Sequence, residues 1–197
     1  APAGVVIGQD KARQPTAIRL FRPEPTRITL VGGGWAARIL AFRVLGAGAR
    51  VRIVTADPAS WHPLAAVGGP GLTVQPPSGE ATPTVPTSAP GALTIVDGVW
   101  DGGAGTPGPW HTVLTVLPRL TTSNVVAVRG TDLALLQRLT ADEVAVARSL
   151  WHLDEMTWTL LQEMDDEMFA VVGGSADRYV WASPTEAERR LFGPPTR

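Results

Sequence analysis

The chain of 197 residues contains no cysteine. That excludes disulfides, thiolate catalysis, and zinc or iron–sulfur sites held by cysteine, and it fits the reducing cytosol. An excess of either charge is missing as well, since 17 basic and 18 acidic residues leave a net charge near −1 and a pI near 6.3. Such a balance provides no broad surface for nucleic acid or an anionic membrane. Long apolar runs are absent too. The longest candidate, Ile39–Leu45, is broken by Arg43 and falls far short of the roughly 18 residues a membrane span needs. No signal peptide is visible. The sequence begins Ala1-Pro2 without a methionine, so the expectation is a cytoplasmic protein that reaches a membrane only through partners or through an anchor removed ahead of Ala1. There is no G-x-S-x-G elbow, no HExxH spacing, and no nucleophile with a neighbouring base.

What is present suits one domain. A chain with 44% apolar residues can bury a sizeable core but is short for two, so residues 1–197 read as a single α/β domain. Val5–Ile7 and Ala17–Phe21 read as short strands flanking a polar turn. Arg27–Val31 is a β-branched, apolar strand stopped by three glycines; Trp35–Leu45 is helical, with Ile39, Phe42 and Leu45 on one face; Val51–Thr55 is the next strand. Strand, helix and strand in under thirty residues make the βαβ unit of a parallel sheet. From Gly68 to Gly91 the chain is rich in Pro, Gly, Ser and Thr and reads as a long mobile loop with one short strand at Leu72–Val74. Ala92–Val96 is a strand buried on both faces and ending at Asp97. A helix is expected over Trp110–Leu120 and a buried strand over Asn124–Val128, followed by a short helix through Leu139. A capping box at Thr140–Glu143 should open a helix to Asp166. Met168–Val172 and Arg178–Ala182 read as a hairpin, and Ser183–Glu186 as a second capping box. The expected fold is a three-layer, mostly parallel sheet with flanking helices, Rossmann-like or P-loop-like, plus a C-terminal β-hairpin.

The segment Gly32-Gly33-Gly34-Trp35-Ala-Ala-Arg38-Ile39 stands where phosphates bind in both great nucleotide folds. Glycines let backbone N–H groups approach the phosphates, and a helix N-terminus adds partial positive charge. As a P-loop, Gly-x-x-x-x-Gly-Lys-Ser/Thr, the register places Ala37 at the second glycine, Arg38 at the lysine and Ile39 at the metal-binding hydroxyl. Isoleucine removes the metal contact, and arginine does not replace a compact ammonium in so tight a loop. Asp97 then sits where a metal-side acid would be, followed by Gly98 instead of a catalytic glutamate. As a dinucleotide site, Gly32-x-Gly34-x-x-Ala37 satisfies G-x-G-x-x-G/A, with Asp57 about where a ribose-binding acid belongs. In a parallel sheet the loops after the strands gather at one edge, which would bring Gly32, Gly33, Gly34, Trp35, Arg38, Asp57, Asp97 and Arg129 together.

The layout Val5-Val-Ile-Gly-Gln-Asp10, then Phe21, then Arg27-Ile-Thr-Leu-Val-Gly-Gly33 resembles the start of an ATPase module of the FtsK/SpoIIIE type. In that family a hairpin leads directly into the P-loop strand. Such modules recur in the motor ATPase of type VII (ESX) secretion, where some copies have degenerate loops. Leu20–Arg27 and Asp177–Arg189 also resemble actinobacterial proteins associated with that system, as does the Ala-, Val- and Arg-rich, lysine-poor composition. The resemblance implies a P-loop-like fold and protein partners in a secretion assembly. With the lysine and hydroxyl missing, it implies no catalytic residue, no metal and no bound cofactor. An adenine nucleotide held without hydrolysis stays open. So does NAD(P) or FAD on a Rossmann oxidoreductase or its fragment.

Trp35, at the open edge of the sheet, is expected to be exposed and able to block the phosphate site. The partner surface is expected along that edge, with the 68–91 loop and the Trp110 region. The three histidines each follow a tryptophan (Trp61-His62, Trp110-His111, Trp151-His152) without metal-ligand spacing. Glu163, Asp166 and Glu167 share one helical face and are expected either to pair with Arg189 or Arg190 or to form a solvated face.

Overall fold

The computed structural model describes residues 4–78, 91–98, 107–174 and 177–197. Its centre is β3 (Thr26–Val31), whose β-branched and apolar residues suit a strand buried on both faces. Parallel neighbours flank it, β7 (His111–Leu117) on one side and β8 (Leu133–Leu136) on the other. Beyond β7 the parallel ladder continues through β6 (Ala92–Asp97), β4 (Arg50–Thr55) and β5 (Leu72–Gln75). Beyond β8 it turns antiparallel through β9 (Met168–Val172), β10 (Arg178–Trp181), β1 (Gly4–Gln9) and β2 (Pro15–Arg19). The order is thus β2-β1-β10-β9-β8-β3-β7-β6-β4-β5.

Alternation along the strands fills two cores. Ile28, Leu30, Leu114, Val116 and Leu135 face one core, shared with α1 (Gly34–Gly46), α2 (His62–Ala65) and α6 (Glu186–Phe192). Val31, Leu117, Ala134 and Leu136 face the other, beneath α3 (Val125–Val128), α4 (Ala141–Ala147) and α5 (Glu155–Glu163). The expected three-layer α/β sheet with its β9–β10 hairpin is therefore present.

Several local expectations fail for identifiable reasons. Residues 111–117 form a strand instead of a helix: the spacing of Trp110, Leu114 and Leu117 mimics a helical face, but Thr112, Val113, Thr115 and Val116 are β-branched and complete the ladder between β3 and β6. The strand expected over 124–128 is absent, and the strand of this region is Leu133–Leu136, which reads as helix from sequence and pairs with β3. Residues 125–128 form a single helical turn with Val126 exposed. The long helix expected over 140–166 is two, because Asp154 caps α5 afresh through the Thr157 N–H. Thr140 and Glu143 do form a capping box, whereas the second box uses Thr185 and Glu188, after Ser183 adopts a positive φ of 47°. Asp166 pairs with Arg138 at 2.9 Å instead of with the last helix. Within the expected 68–91 loop, 72–75 is strand β5, while 79–90 lie outside the described residues.

Arg43 ties the two halves together. Its guanidinium grips Glu188 bidentately at 2.8 and 3.0 Å and donates to the carbonyls of Ile7 (2.6 Å) and Ala182 (2.8 Å). One half-buried side chain on α1 thus joins β1, the end of β10 and α6. Burial alone pushes the Glu188 carboxyl up, but Arg43 and the Thr185 amide outweigh it and hold it below the ordinary glutamate value. Removing the cation strands a buried carboxylate, so Arg43→Met should cost about 3–5 kcal/mol in urea unfolding. Because the folded-state value is lowered, the stability from Glu188 is present above the ordinary pKa of 4.5 and lost as pH falls through the lowered value. The variant should therefore show a flatter loss of stability on acidification, read from melting temperatures across that range.

Candidate functional site

The C-terminal ends of β3, β4, β6, β7 and β8 share one edge because these strands run parallel. Gly32–Gly34 leave β3 there and open α1, with Gly33 as a cap that has no side chain of its own. Its cap comes from elsewhere: Gly33 N–H donates to Gln137 Oε1 at 2.7 Å. A glutamine 104 residues away thus does what the third residue of a capping box does locally, satisfying the N–H of the capping residue. Gly32 N–H donates to the Leu117 carbonyl at 2.9 Å, extending the ladder to β7. Two amides of the glycine turn are therefore engaged inside the protein.

Gln137 directly follows β8 and is fully buried. Its own N–H donates to the Val31 carbonyl, and its Nε2 donates to the carbonyls of Asp166 (2.8 Å) and Thr196 (3.1 Å). The turn has no room to spare. A Cβ on Gly32 would lie 2.3 Å from Gln137 Oε1, and one on Gly33 would lie 2.7 Å from the Arg197 carbonyl carbon. Thr196 and Arg197, which follow α6, thus lie directly on the loop.

Arg197 is fastened in turn. Its Nη2 donates to both carboxylate oxygens of Glu143 at 2.7 Å, and its Nη1 to the Pro118 carbonyl at 3.2 Å. Glu143 is buried, and the Leu120 and Thr140 amides also donate to it. Burial would raise its pKa, but those two amides and Arg197 together hold it below the ordinary value.

Of the residues singled out from sequence, the glycines, Trp35, Arg38, Asp57 and Asp97 do come to this edge. Arg38 donates weakly to the Ser60 carbonyl (3.3 Å) on the side of Asp97; burial lowers its pKa and the Asp97 charge opposes that shift. Asp97 Oδ2 accepts from Thr55 Oγ1 (2.9 Å) and Trp61 Nε1 (3.0 Å). Asp57, exposed, caps the 3-10 turn at Pro58–Trp61 through Ser60 N–H and donates its own N–H to Thr55. Arg129 does not join them. It precedes β8, and Asp132 just after it pairs with Arg27 at the start of β3, so Arg129 is exposed at the opposite edge. Trp35 is not exposed either: only 1% accessible, it sits in the core with Nε1 on the Gly193 carbonyl at 3.3 Å. Ile39, in the register of the metal-binding hydroxyl, is fully buried.

Gln137 and Arg197 were not legible as site residues. One polar residue closing the apolar run Leu133–Leu136 was the available signal, obscured by reading that run as helix. An open, mostly apolar groove of about 930 Å³ lies elsewhere, between the β1–β2 turn, α5 and the β9–β10 hairpin. Among the described residues no cluster of His, Asp or Glu is arranged to hold a metal, and no helix is long and apolar enough to cross a membrane.

No protein-family model matches the chain, nor does any curated protein. Its fold does have solved counterparts. It is similar to the cytoplasmic domain of the type VII secretion ATPase EccC of Thermomonospora curvata, with a TM-score of 0.59 and 10% identity over 99% of this chain and 32% of that one. It is similar to the cytoplasmic domain of EssC, with a TM-score of 0.54 and 13% identity over 92% of this chain and 44% of that one. A third is the pCW3 conjugation coupling protein TcpA in its monomer form with ATPγS, with a TM-score of 0.52 and 10% identity over 92% of this chain and 66% of that one. The chain thus spans about a third of the EccC domain's length. The resemblance to FtsK/SpoIIIE-type modules of type VII secretion holds at the level of the fold.

Replacing Gln137 by Leu leaves the half-buried Gly33 N–H without its acceptor. The expected loss is about 1–3 kcal/mol of stability, with faster hydrogen exchange at Gly33 as the local readout.

Proposed function

We propose that this chain is a non-catalytic module derived from a secretion-type ATPase, working as one unit in the cytoplasm through protein partners. The observation that carries the reading is the glycine turn itself. In the space where a phosphate would lie, Gly33 N–H is taken by Gln137 and the loop is backed by Thr196 and Arg197. Sequence and packing agree with this. Ile39 replaces the metal-binding hydroxyl and is locked in the core, and Arg38 is turned toward Ser60. Asp97, the one acid retained, has its Oδ2 occupied by Thr55 and Trp61. In a secretion assembly the module keeps the fold of an ATPase domain without turnover.

The dinucleotide reading meets a topological obstacle. In the dinucleotide fold, with order 3-2-1-4-5-6, the first two strands of the βαβ unit are neighbours. Here β3 and β4 are separated by β7 and β6. That order weighs against NAD(P) or FAD and leaves a nucleotide held without hydrolysis as the remaining ligand class.

The test is a thermal-shift panel with ATP–Mg, ADP, NAD, NADP and FAD, beside a phosphate-release assay. A ligand at about a hundred times its dissociation constant adds roughly 2.7 kcal/mol, or ~5–11 °C for a domain of this size. The expected result is no shift and no phosphate release. ATP hydrolysis that disappears in Arg38→Ala would sink the proposal. A shift with NAD, NADP or FAD that disappears in Gly34→Glu would replace it with a redox function.

A further inference from the structure

We propose that residues 194–197 are a built-in plug of the glycine turn, locked shut by the Arg197–Glu143 ion pair. The inference deepens the reading of a silent nucleotide loop and rests on it. Where that reading says the loop does no chemistry, the plug says why no anion enters.

Four ties hold this short segment. Gln137 Nε2 donates to the Thr196 carbonyl, Arg197 spans both oxygens of Glu143, Arg197 Nη1 reaches the Pro118 carbonyl, and Trp35 Nε1 reaches the Gly193 carbonyl just before it. Pro194 and Pro195 restrict the backbone that approaches the loop. The segment is otherwise at the surface, with Pro194 and Thr196 exposed. Lifting it therefore breaks polar ties without opening either hydrophobic core. The lock is asymmetric. Glu143 is built into α4 and keeps its two amide donors when Arg197 leaves, whereas Arg197 loses the one carboxylate it pairs with among the described residues. Gln137 links the two: its Oε1 caps the loop while its Nε2 holds the plug, so both respond together. The plug lies against Gly33, within a three-glycine turn at the start of a 13-residue helix whose first turn carries no acidic residue, a setting that favours an anion once Gly33 is uncovered.

The experiment uses the full chain and Arg197→Ala, reading hydrogen exchange at Gly32–Gly34 and the melting temperature with inorganic pyrophosphate. Wild type should exchange slowly at Gly33 and ignore pyrophosphate. The variant should exchange faster at Gly33 by about tenfold or more, as losing a charge-assisted hydrogen bond implies, and should be stabilised by pyrophosphate. Exchange in β4 and β6, remote from the plug, serves as the control for folding. Should Arg197→Ala not fold, Arg197→Gln keeps a donor toward Glu143 and should open the loop less. Wild-type exchange at Gly33, or an opened loop that ignores pyrophosphate, overturns the plug in either variant and leaves the non-catalytic reading standing. Phosphate release from ATP by an opened variant that binds pyrophosphate would support the plug while removing that reading.

Discussion

The side-chain amide of Gln137 is the point on which the site depends. A helix that opens on glycine has no side chain to cap it, and its first amides must find acceptors or stay in water. Here the acceptor comes from β8, and the same amide group spends its N–H bonds on two other segments, at Asp166 and Thr196. Three parts of the chain far apart in sequence are thus closed by one uncharged residue. An uncharged amide is suited to this, because it satisfies donor and acceptor at once and adds no buried charge that would need a counter-ion.

Around that point two buried carboxylates are each paired with an arginine. Glu143 and Glu188 are both buried, each belongs to a capping box, and each is neutralised by one arginine reaching from a remote segment. The same device thus appears twice: a carboxylate that organises its own helix start also receives a guanidinium from another part of the chain. Arg43 joins the antiparallel half of the sheet to α1, and Arg197 joins the segment after α6 to α4. Breaking such a pair costs far more than forming it contributes, since the abandoned carboxylate stays buried. These pairs therefore act chiefly to specify which segments meet.

The edge where the parallel strands end is the place where open α/β sheets bind ligands, and this chain keeps the shape of that place while filling it. Here the Gly33 amide faces Gln137 and the Gly32 amide faces the Leu117 carbonyl. Arg38 and Asp97 remain on one side of the turn as a charged pair of residues, drawn toward Ser60, Thr55 and Trp61.

Local pattern by itself determined the β3–glycine–α1–β4 unit, strand β6, the β9–β10 hairpin and the Thr140 capping box, because each is encoded by a β-branched run, a periodic face or a turn within a dozen residues. It also determined that Ala37, Arg38 and Ile39 follow the glycine turn. Tertiary structure decided what lies beside β3. Residues 111–117 and 133–136 have spacings that a helix also satisfies, and only the open ladders of β3 and β6 made them strands. That choice moved Arg129 to the far edge, put Gln137 at the mouth of the loop and drew Trp35 into the core. Nothing within a few residues of Gln137 or Arg197 marks either one. Their roles exist only through hydrogen bonds to residues far along the chain, and those bonds form only after the sheet order is set.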